Sequence, residues 1–134
     1  MKSRWLVGVL WSFLLLAVAC SGRTGPENVY IADEADSGRT VSLRVGDALQ
    51  VMLQANESTG YAWSVVTNDE TVLQLRDAPT YEVDGDAEGA SGETVFLFDA
   101  VGPGTSRIQM VYAFQEEGAV DPDRTFELSV EVVE

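Results

Sequence analysis

From Val29 to Val132 apolar side chains recur at every second position, in one short run after another. Val29 and Ile31 form the first set. Val41, Leu43 and Val45 alternate with Ser42 and Arg44, and Leu49, Val51, Leu53 and Ala55 alternate with Gln50, Met52 and Gln54. Tyr61, Trp63 and Val65 follow, then Leu73 and Leu75, then Phe96, Phe98 and Ala100, with Val95 and Leu97 on the opposite face of that run. Ile108, Met110 and Tyr112 come next, and Phe126, Leu128, Val130 and Val132 close the chain. A period of two places each set on one face of an extended strand. The breaks carry turn chemistry: Ser37-Gly38, Gly46-Asp47, Gly102-Pro103-Gly104 and Asp121-Pro122-Asp123. No stretch beyond the N-terminus has a helical period. The pattern predicts an all-β sandwich of seven to eight antiparallel strands over residues 29–134, with two sheets face to face. The Phe126/Leu128/Val130/Val132 face belongs to its core. The acids fall on outward faces and in loops, where they discourage edge-to-edge pairing, and none occupies an evident buried position.

Composition removes whole classes of chemistry. The 134 residues include no His and one Cys. That excludes a Cys-His or Ser-His-Asp machinery, a zinc site of the usual ligand set and a disulfide, and no cofactor is implied. Asp and Glu number 22 against 8 Lys and Arg, a net charge of −14. Such a surface repels phosphates and argues against nucleic acid as a partner; it also favours a monomer.

Residues 1–19 are an address rather than part of the fold. Lys2 and Arg4 precede an almost unbroken apolar run from Trp5 to Val18. The run is too short to span a bilayer comfortably and ends in small residues, as secretory signals do. Its end, Ala17-Val18-Ala19-Cys20, resembles a bacterial lipobox, with Ala17 where Leu is usual. That resemblance implies lipidation of Cys20: a thioether-linked lipid, an acylated amine and stable anchoring to a membrane. An ordinary Ala-x-Ala cleavage site followed by a free Cys is the other reading. Ser21 after Cys20 resembles an outer-membrane sorting pattern, so the expected location is the periplasmic or surface face of a bacterial outer membrane. Removal of residues 1–19 leaves 22 acids against 6 basic residues, a net charge of −16, and no Lys. Residues 20–28 then form the lipidated Cys and a short polar tether.

Three connecting segments stand apart. The first is Asn56-Glu57-Ser58-Thr59-Gly60-Tyr61, where Gly60 allows a positive-φ turn and Asn56 and Ser58 can bond nearby backbone. Tyr61 and Trp63 continue an apolar face and read first as core. The second, Tyr81 to Glu93, is acidic, rich in Gly and expected to lack regular structure. Asp84, Asp86 and Glu88 there resemble the start of a calcium loop. The twelfth position is Val95 rather than Glu and strands flank the segment, so a solvated acidic loop is expected and no metal. The third, Phe114 to Arg124, joins the last two strands. Alternate loops of a sandwich gather at one end, so the three can form a single binding edge.

The run VSLRVGDALQVMLQANESTGYAW (residues 41–63) resembles the chagasin family of cysteine-protease inhibitors. That family's fold is immunoglobulin-like. Its signature is N-P-T-T-G-Y in one loop, G-x-G-G in a second, and R-P-W shortly after a Tyr in a third. Asn56, Thr59, Gly60 and Tyr61 match the first motif, and Trp63 follows two residues on; Glu57 replaces the Pro and Ser58 a Thr. Gly89-Ala90-Ser91-Gly92 corresponds to the second motif, with Ser91 at a Gly position. Tyr112 matches the Tyr of the third, but Phe114-Gln115-Glu116 stands where R-P-W is expected.

The resemblance implies a papain-like cysteine protease as partner, with the three loops straddling its cleft. Ser58 and Thr59 would approach the catalytic Cys and His, and Gly60 would turn the backbone away from attack geometry. It implies no catalysis by this chain. Two other readings stay open at this level: a lipid-anchored immunoglobulin-like interaction module without protease-inhibitory activity, favoured by the missing R-P-W, and a hydrolase with paired carboxylates.

Overall fold

The computed structural model describes Pro26, residues 28–116 and residues 120–134, with backbone alone for 120–123. Among these residues there are nine strands: β1 (Val29–Ala32), β2 (Thr40–Arg44), β3 (Ala48–Ala55), β4 (Tyr61–Thr67), β5 (Leu73–Leu75), β6 (Thr80–Val83), β7 (Gly92–Ala100), β8 (Gly104–Phe114) and β9 (Val120–Val133). The segment expected to be a signal sequence, Cys20 and most of the expected tether lie outside the described residues.

The strands form two sheets. One has the order β1-β3-β7-β5, with β6 also on β7, and the other the order β2-β9-β8-β4. Two pairings are parallel, β1 with β3 and β2 with β9, so the sheets are mixed rather than wholly antiparallel as expected. β1 and β2 belong to opposite sheets and are joined through a 3₁₀ turn at Glu34–Asp36, which carries the chain across the sandwich edge. Their directions follow from that crossing, and side-chain alternation is the same for either direction.

The strand count exceeds the expected seven to eight because one edge is broken. β5 pairs with Phe98–Ala100 of β7 and β6 with Gly92–Val95 of the same strand. Between them lies Asp77-Ala78-Pro79, and Pro79 has no N–H to donate to the ladder. The segment expected as a loop from Tyr81 is therefore strand up to Val83. The loop itself is Asp84 to Ser91, closed by the Asp84 amide donating to the Ser91 carbonyl at 2.8 Å.

The inward faces agree with the alternation. Leu49, Val51, Leu53, Phe96, Phe98, Ile108, Met110, Phe126, Leu128, Val130 and Val132 are all buried in one cluster. Burial of such side chains is the main favourable term for a sandwich of this size, at about 1.5–3 kcal/mol each. The first set departs from expectation: Val29 and Ile31 are 48% and 60% exposed, and Ala32 is the residue of β1 that points inward. Val45 and Leu75 are exposed at strand ends.

One acid is buried, contrary to the expectation. Asp47 closes the turn into β3, accepting from the Arg44 amide at 2.9 Å and from the Asn28 side-chain amide at 3.2 Å. The Arg44 N–H, helped by Asn28, holds its carboxyl below the usual range against the opposing effect of burial. A depressed folded-state pKa contributes stability above the unfolded value of about 3.9 and loses it as the pH falls through the folded-state value. Asp47→Asn is expected to cost about 1–2 kcal/mol at neutral pH, with the deficit shrinking as the pH drops below about 4. Denaturant titrations of both proteins across that range check it; a deficit constant down to pH 2 would sink the assignment.

The registers define two poles. Ala55 pairs with Gly92, Tyr61 with Phe114 and Ala113 with Val120, so the β3–β4, β6–β7 and β8–β9 connections share one pole. Asn28 sits at the other: its carbonyl accepts from the Ala48 amide at 2.8 Å, at the start of β3. Val133 and Gly104 lie at that second pole as well.

Candidate functional site

The first loop is a single 3₁₀ turn, Glu57–Thr59, capped at both ends by its own residues. Asn56 is the N-cap: its side-chain oxygen accepts from the Ser58 amide at 3.2 Å and from the Ser58 hydroxyl. The Thr59 hydroxyl donates back to the Asn56 carbonyl at 2.6 Å. Gly60 ends the turn at φ 82°, ψ 0°, the left-handed region, its amide donating to the Glu57 carbonyl at 3.0 Å. Side chains that serve as caps satisfy backbone groups the short turn leaves open. The loop tip, Glu57-Ser58-Thr59, is exposed yet internally bonded, so its shape is set before any partner arrives. Glu57 occupies the first turn position, one that the fixed φ of Pro also suits.

The second loop is fastened to the first. The Asn56 side-chain amide donates to the Gly89 carbonyl at 3.3 Å, and the missing Cβ of Gly89 would lie 3.9 Å from the Ser58 hydroxyl. The two glycines of Gly89-Ala90-Ser91-Gly92 have different reasons. Gly89 has φ 75°. Gly92 begins β7, where a Cβ would stand 2.2 Å from the Glu82 carbonyl oxygen. Among the described residues no side-chain-bearing residue has positive φ, so Ser91 fills a glycine position of the motif without backbone strain. Ser91 is exposed and Ala90 half-buried beside the Tyr81 hydroxyl, 3.4 Å from the Ala90 carbonyl.

The third segment begins inside a strand. Phe114 is the last residue of β8, opposite Tyr61, and its ring packs on Gly60. A Cβ on Gly60 would come within 2.5 Å of Phe114 Cε2. The aromatic residues form a continuous row: Phe114 to Tyr61 at 5.4 Å between centroids, Tyr61 to Tyr112 at 5.4 Å, Tyr112 to Trp63 at 5.3 Å. Trp63 is core, as its alternation implied, and Tyr61 is half-buried against it. The Gln115 amide donates to the Gly60 carbonyl at 3.0 Å, which ties the third segment to the first. Gln115 and Glu116 are exposed, and Glu117 lies outside the described residues. Between the first and third segments runs an open groove of about 570 Å³, lined by Glu57 to Ala62 and Phe114 to Glu116.

Asn56 to Tyr61, Gly89 to Gly92, and Phe114 to Gln115 therefore meet at one pole, as the sandwich reading required. Arg124 was missed. Its guanidinium lies over the Tyr112 ring, 4.5 Å from the centroid, and 5.5 Å from that of Trp63, while donating to the Gln54 carbonyl. The Tyr112 hydroxyl accepts from the Asn56 amide at 3.0 Å. Arg124 thus supports Asn56, the residue that caps the first loop, through the Tyr112 side chain. The sequence signal was slight: Arg124 is the one basic residue after Arg107. Among the described residues no three His, Cys, Asp or Glu side chains gather as a metal cluster, and Asp84, Asp86 and Glu88 are each exposed.

The sequence pattern described as Chagasin family peptidase inhibitor I42 matches residues 42–130, which span the first loop, the second and the aromatic row. The chain belongs to the chagasin family. Chagasin-family inhibitors are not enzymes, which is consistent with the expectation of no catalysis by this chain. A crystal structure of a cysteine protease inhibitor from Entamoeba histolytica, EhICP2, superposes on this chagasin-family chain with a TM-score of 0.70 at 23% identity, covering 81% of this chain and 99% of that one. The solution structure of amebosin matches with a TM-score of 0.64 at 26% identity, over 81% of this chain and 99% of that one. No curated protein sequence matches this chain significantly. The immunoglobulin-like sandwich expected from the resemblance is thereby established.

Proposed function

We propose that this chain inhibits papain-like cysteine proteases reversibly and competitively, with the three-loop edge filling the active-site cleft. The observation that carries the reading is the capped first loop. Its turn is internally bonded, ends in a left-handed glycine and is braced on both sides by the other two segments. Such a loop fits a cleft without an ordering cost and does not extend into the conformation a protease cleaves. The Ser58 and Thr59 hydroxyls bond the loop itself, so their part in binding is to hold the tip's shape as much as to touch the protease. Titrating the chain from Ser21 onward against papain, with a fluorogenic peptide as substrate, tests the proposal. Tight competitive inhibition is the expected result. No inhibition at micromolar protein would leave the interaction-module reading, since Phe114-Gln115-Glu116 replaces the Arg and Trp of the family motif.

The domain's charge sets the kinetics. At −16 for residues 20–134, association with a basic cleft rim is accelerated and weakens with salt. Stopped-flow association rates with such a protease should fall several-fold between low and physiological ionic strength. An on-rate indifferent to salt would remove electrostatic steering from the account.

We also infer that Cys20 is lipidated after removal of residues 1–19, which anchors the domain at the outer membrane. The chain enters β1 at the pole opposite the loops, and β3 runs from that pole to Ala55. Eight strand residues separate the tethered pole from the edge by about 26 Å. A tether of residues 21–28 adds at most roughly 28 Å. An anchored inhibitor therefore presents its edge away from the bilayer, toward proteases in solution. Mass spectrometry of the mature N-terminus tests the lipid itself.

A further inference from the structure

We propose that the groove between the first and third loops receives a basic side chain, arginine above all, from the rim of the target protease; this rests on the inhibitor reading. The groove has an apolar floor and acidic walls. Tyr61, Ala62 and Phe114 line it, with the Phe114 ring seated on Gly60 in the space a side chain there would take. Glu57 stands on one side and Glu116 on the other, both exposed. Neither joins an ion pair among the described residues; the pairs there are Arg39–Asp36, Arg76–Asp99, Arg107–Glu127 and Arg124–Glu34.

The chain cannot neutralise those walls itself. From residue 45 to 75, from 77 to 106 and from 108 to 123 there is no Lys or Arg, and Arg124, which ends the third segment, is engaged over the Tyr112 ring and at the Gln54 carbonyl. A planar guanidinium suits such a slot: its face stacks on an aromatic ring while its edges donate to carboxylates on either side. An ammonium offers one point charge and no stacking plane, so arginine should bind better than lysine. A hydrophobic or acidic rim residue gains nothing from the two carboxylates and pays their desolvation. The groove therefore acts as a specificity pocket on the inhibitor, selecting proteases by the charge of one rim position.

The test uses a small probe and a protease separately. N-acetyl-arginine methylamide is titrated into the chain and followed by amide and aromatic NMR shifts. Saturable shifts at Gly60, Tyr61 and Phe114 are expected at millimolar probe. The citrulline analogue, which keeps the shape and loses the charge, should give none, and E57Q/E116Q should weaken the arginine probe about tenfold. The same variant should lower affinity for a protease bearing arginine at its rim about tenfold or more, with E70Q/E131Q, the same charge change at a distance from the groove, near wild type. Equal shifts from citrulline, shifts elsewhere, or full inhibition by E57Q/E116Q would overturn the pocket while leaving the inhibitor reading intact. Arginine binding without inhibition of any papain-like protease would do the reverse.

Discussion

Gly60→Ala is expected to weaken inhibition of papain about a hundredfold and to destabilise the domain by about 2–3 kcal/mol. Two penalties combine. The backbone at Gly60 has φ 82°, which costs an L side chain about 1–2 kcal/mol. The new methyl would also sit 2.5 Å from Phe114 Cε2, a distance that forces the ring away. Phe114 is half of the groove and packs against Tyr61, so displacing it opens the link between the first and third loops. The affinity loss exceeds the stability loss in kind, because the edge binds only in the shape the glycine allows. A double-mutant cycle with Phe114→Ala separates the two penalties: the clash disappears in the double variant and the φ strain remains. Additive stabilities would show that the ring does not press on Gly60. Inhibition by Gly60→Ala at the wild-type level, with the fold intact by circular dichroism, would remove the first loop from the binding site.

Arg124→Ala is expected to cost about 2–3 kcal/mol of stability, or roughly 10–20 °C in melting temperature for a domain of this size. Arg124 lies 4.5 Å over Tyr112 and donates to the Gln54 carbonyl, which also receives the Trp63 indole N–H at 2.9 Å. Its end is 3.6 Å from Glu34, whose carboxylate accepts from the Gln54 amide at 2.6 Å. One guanidinium thus joins the end of β3, the aromatic row and the crossing turn between the sheets. Arg124→Lys keeps the charge and loses the stacking plane and the fork of donors, and should recover less than half of the loss. Hydrogen exchange at Ser58 and Thr59 reports the consequence for the first loop: their amides are held through Asn56, and Asn56 is held by the Tyr112 hydroxyl. Those amides should exchange faster in Arg124→Ala than the drop in global stability alone implies. A variant within about 0.5 kcal/mol of wild type would mean that Trp63 suffices to hold Gln54.

Loop geometry was more legible than loop contacts. Asn56, Ser58, Thr59 and Gly60 carry turn chemistry in their own side chains, so the cap, the 3₁₀ turn and the left-handed glycine follow from local residues. Phe114 was not legible in the same way. It reads as a lost Arg in a motif, and its position on Gly60 depends on β8 lying beside β4 in register. Ser91 read as a departure from a glycine motif, but backbone φ decides whether glycine is needed there, and φ at that position is not positive. The segment after Tyr81 looked like loop because it is acidic and rich in Gly, yet Thr80 to Val83 form a strand on β7. Edge pairing requires only backbone hydrogen bonds on one side, which composition does not report.

Alternation alone determined which side chains face inward along β3, β7, β8 and β9, because a pleated strand turns every second residue to the same face whatever its neighbours. Gly46-Asp47 and Gly102-Pro103-Gly104 likewise marked the start of β3 and the end of β7, but Asp121-Pro122-Asp123, expected as a break, lies within the backbone of β9. Strand direction, the parallel pairings of β1 and β2, the break at Pro79 and the meeting of Gly60, Phe114 and Arg124 were decided by the tertiary structure. The physical reason is range: side-chain period and φ preference act within a few residues, whereas pairing partners and ring contacts join positions some 50 to 70 residues apart, and only the closed sandwich brings those together.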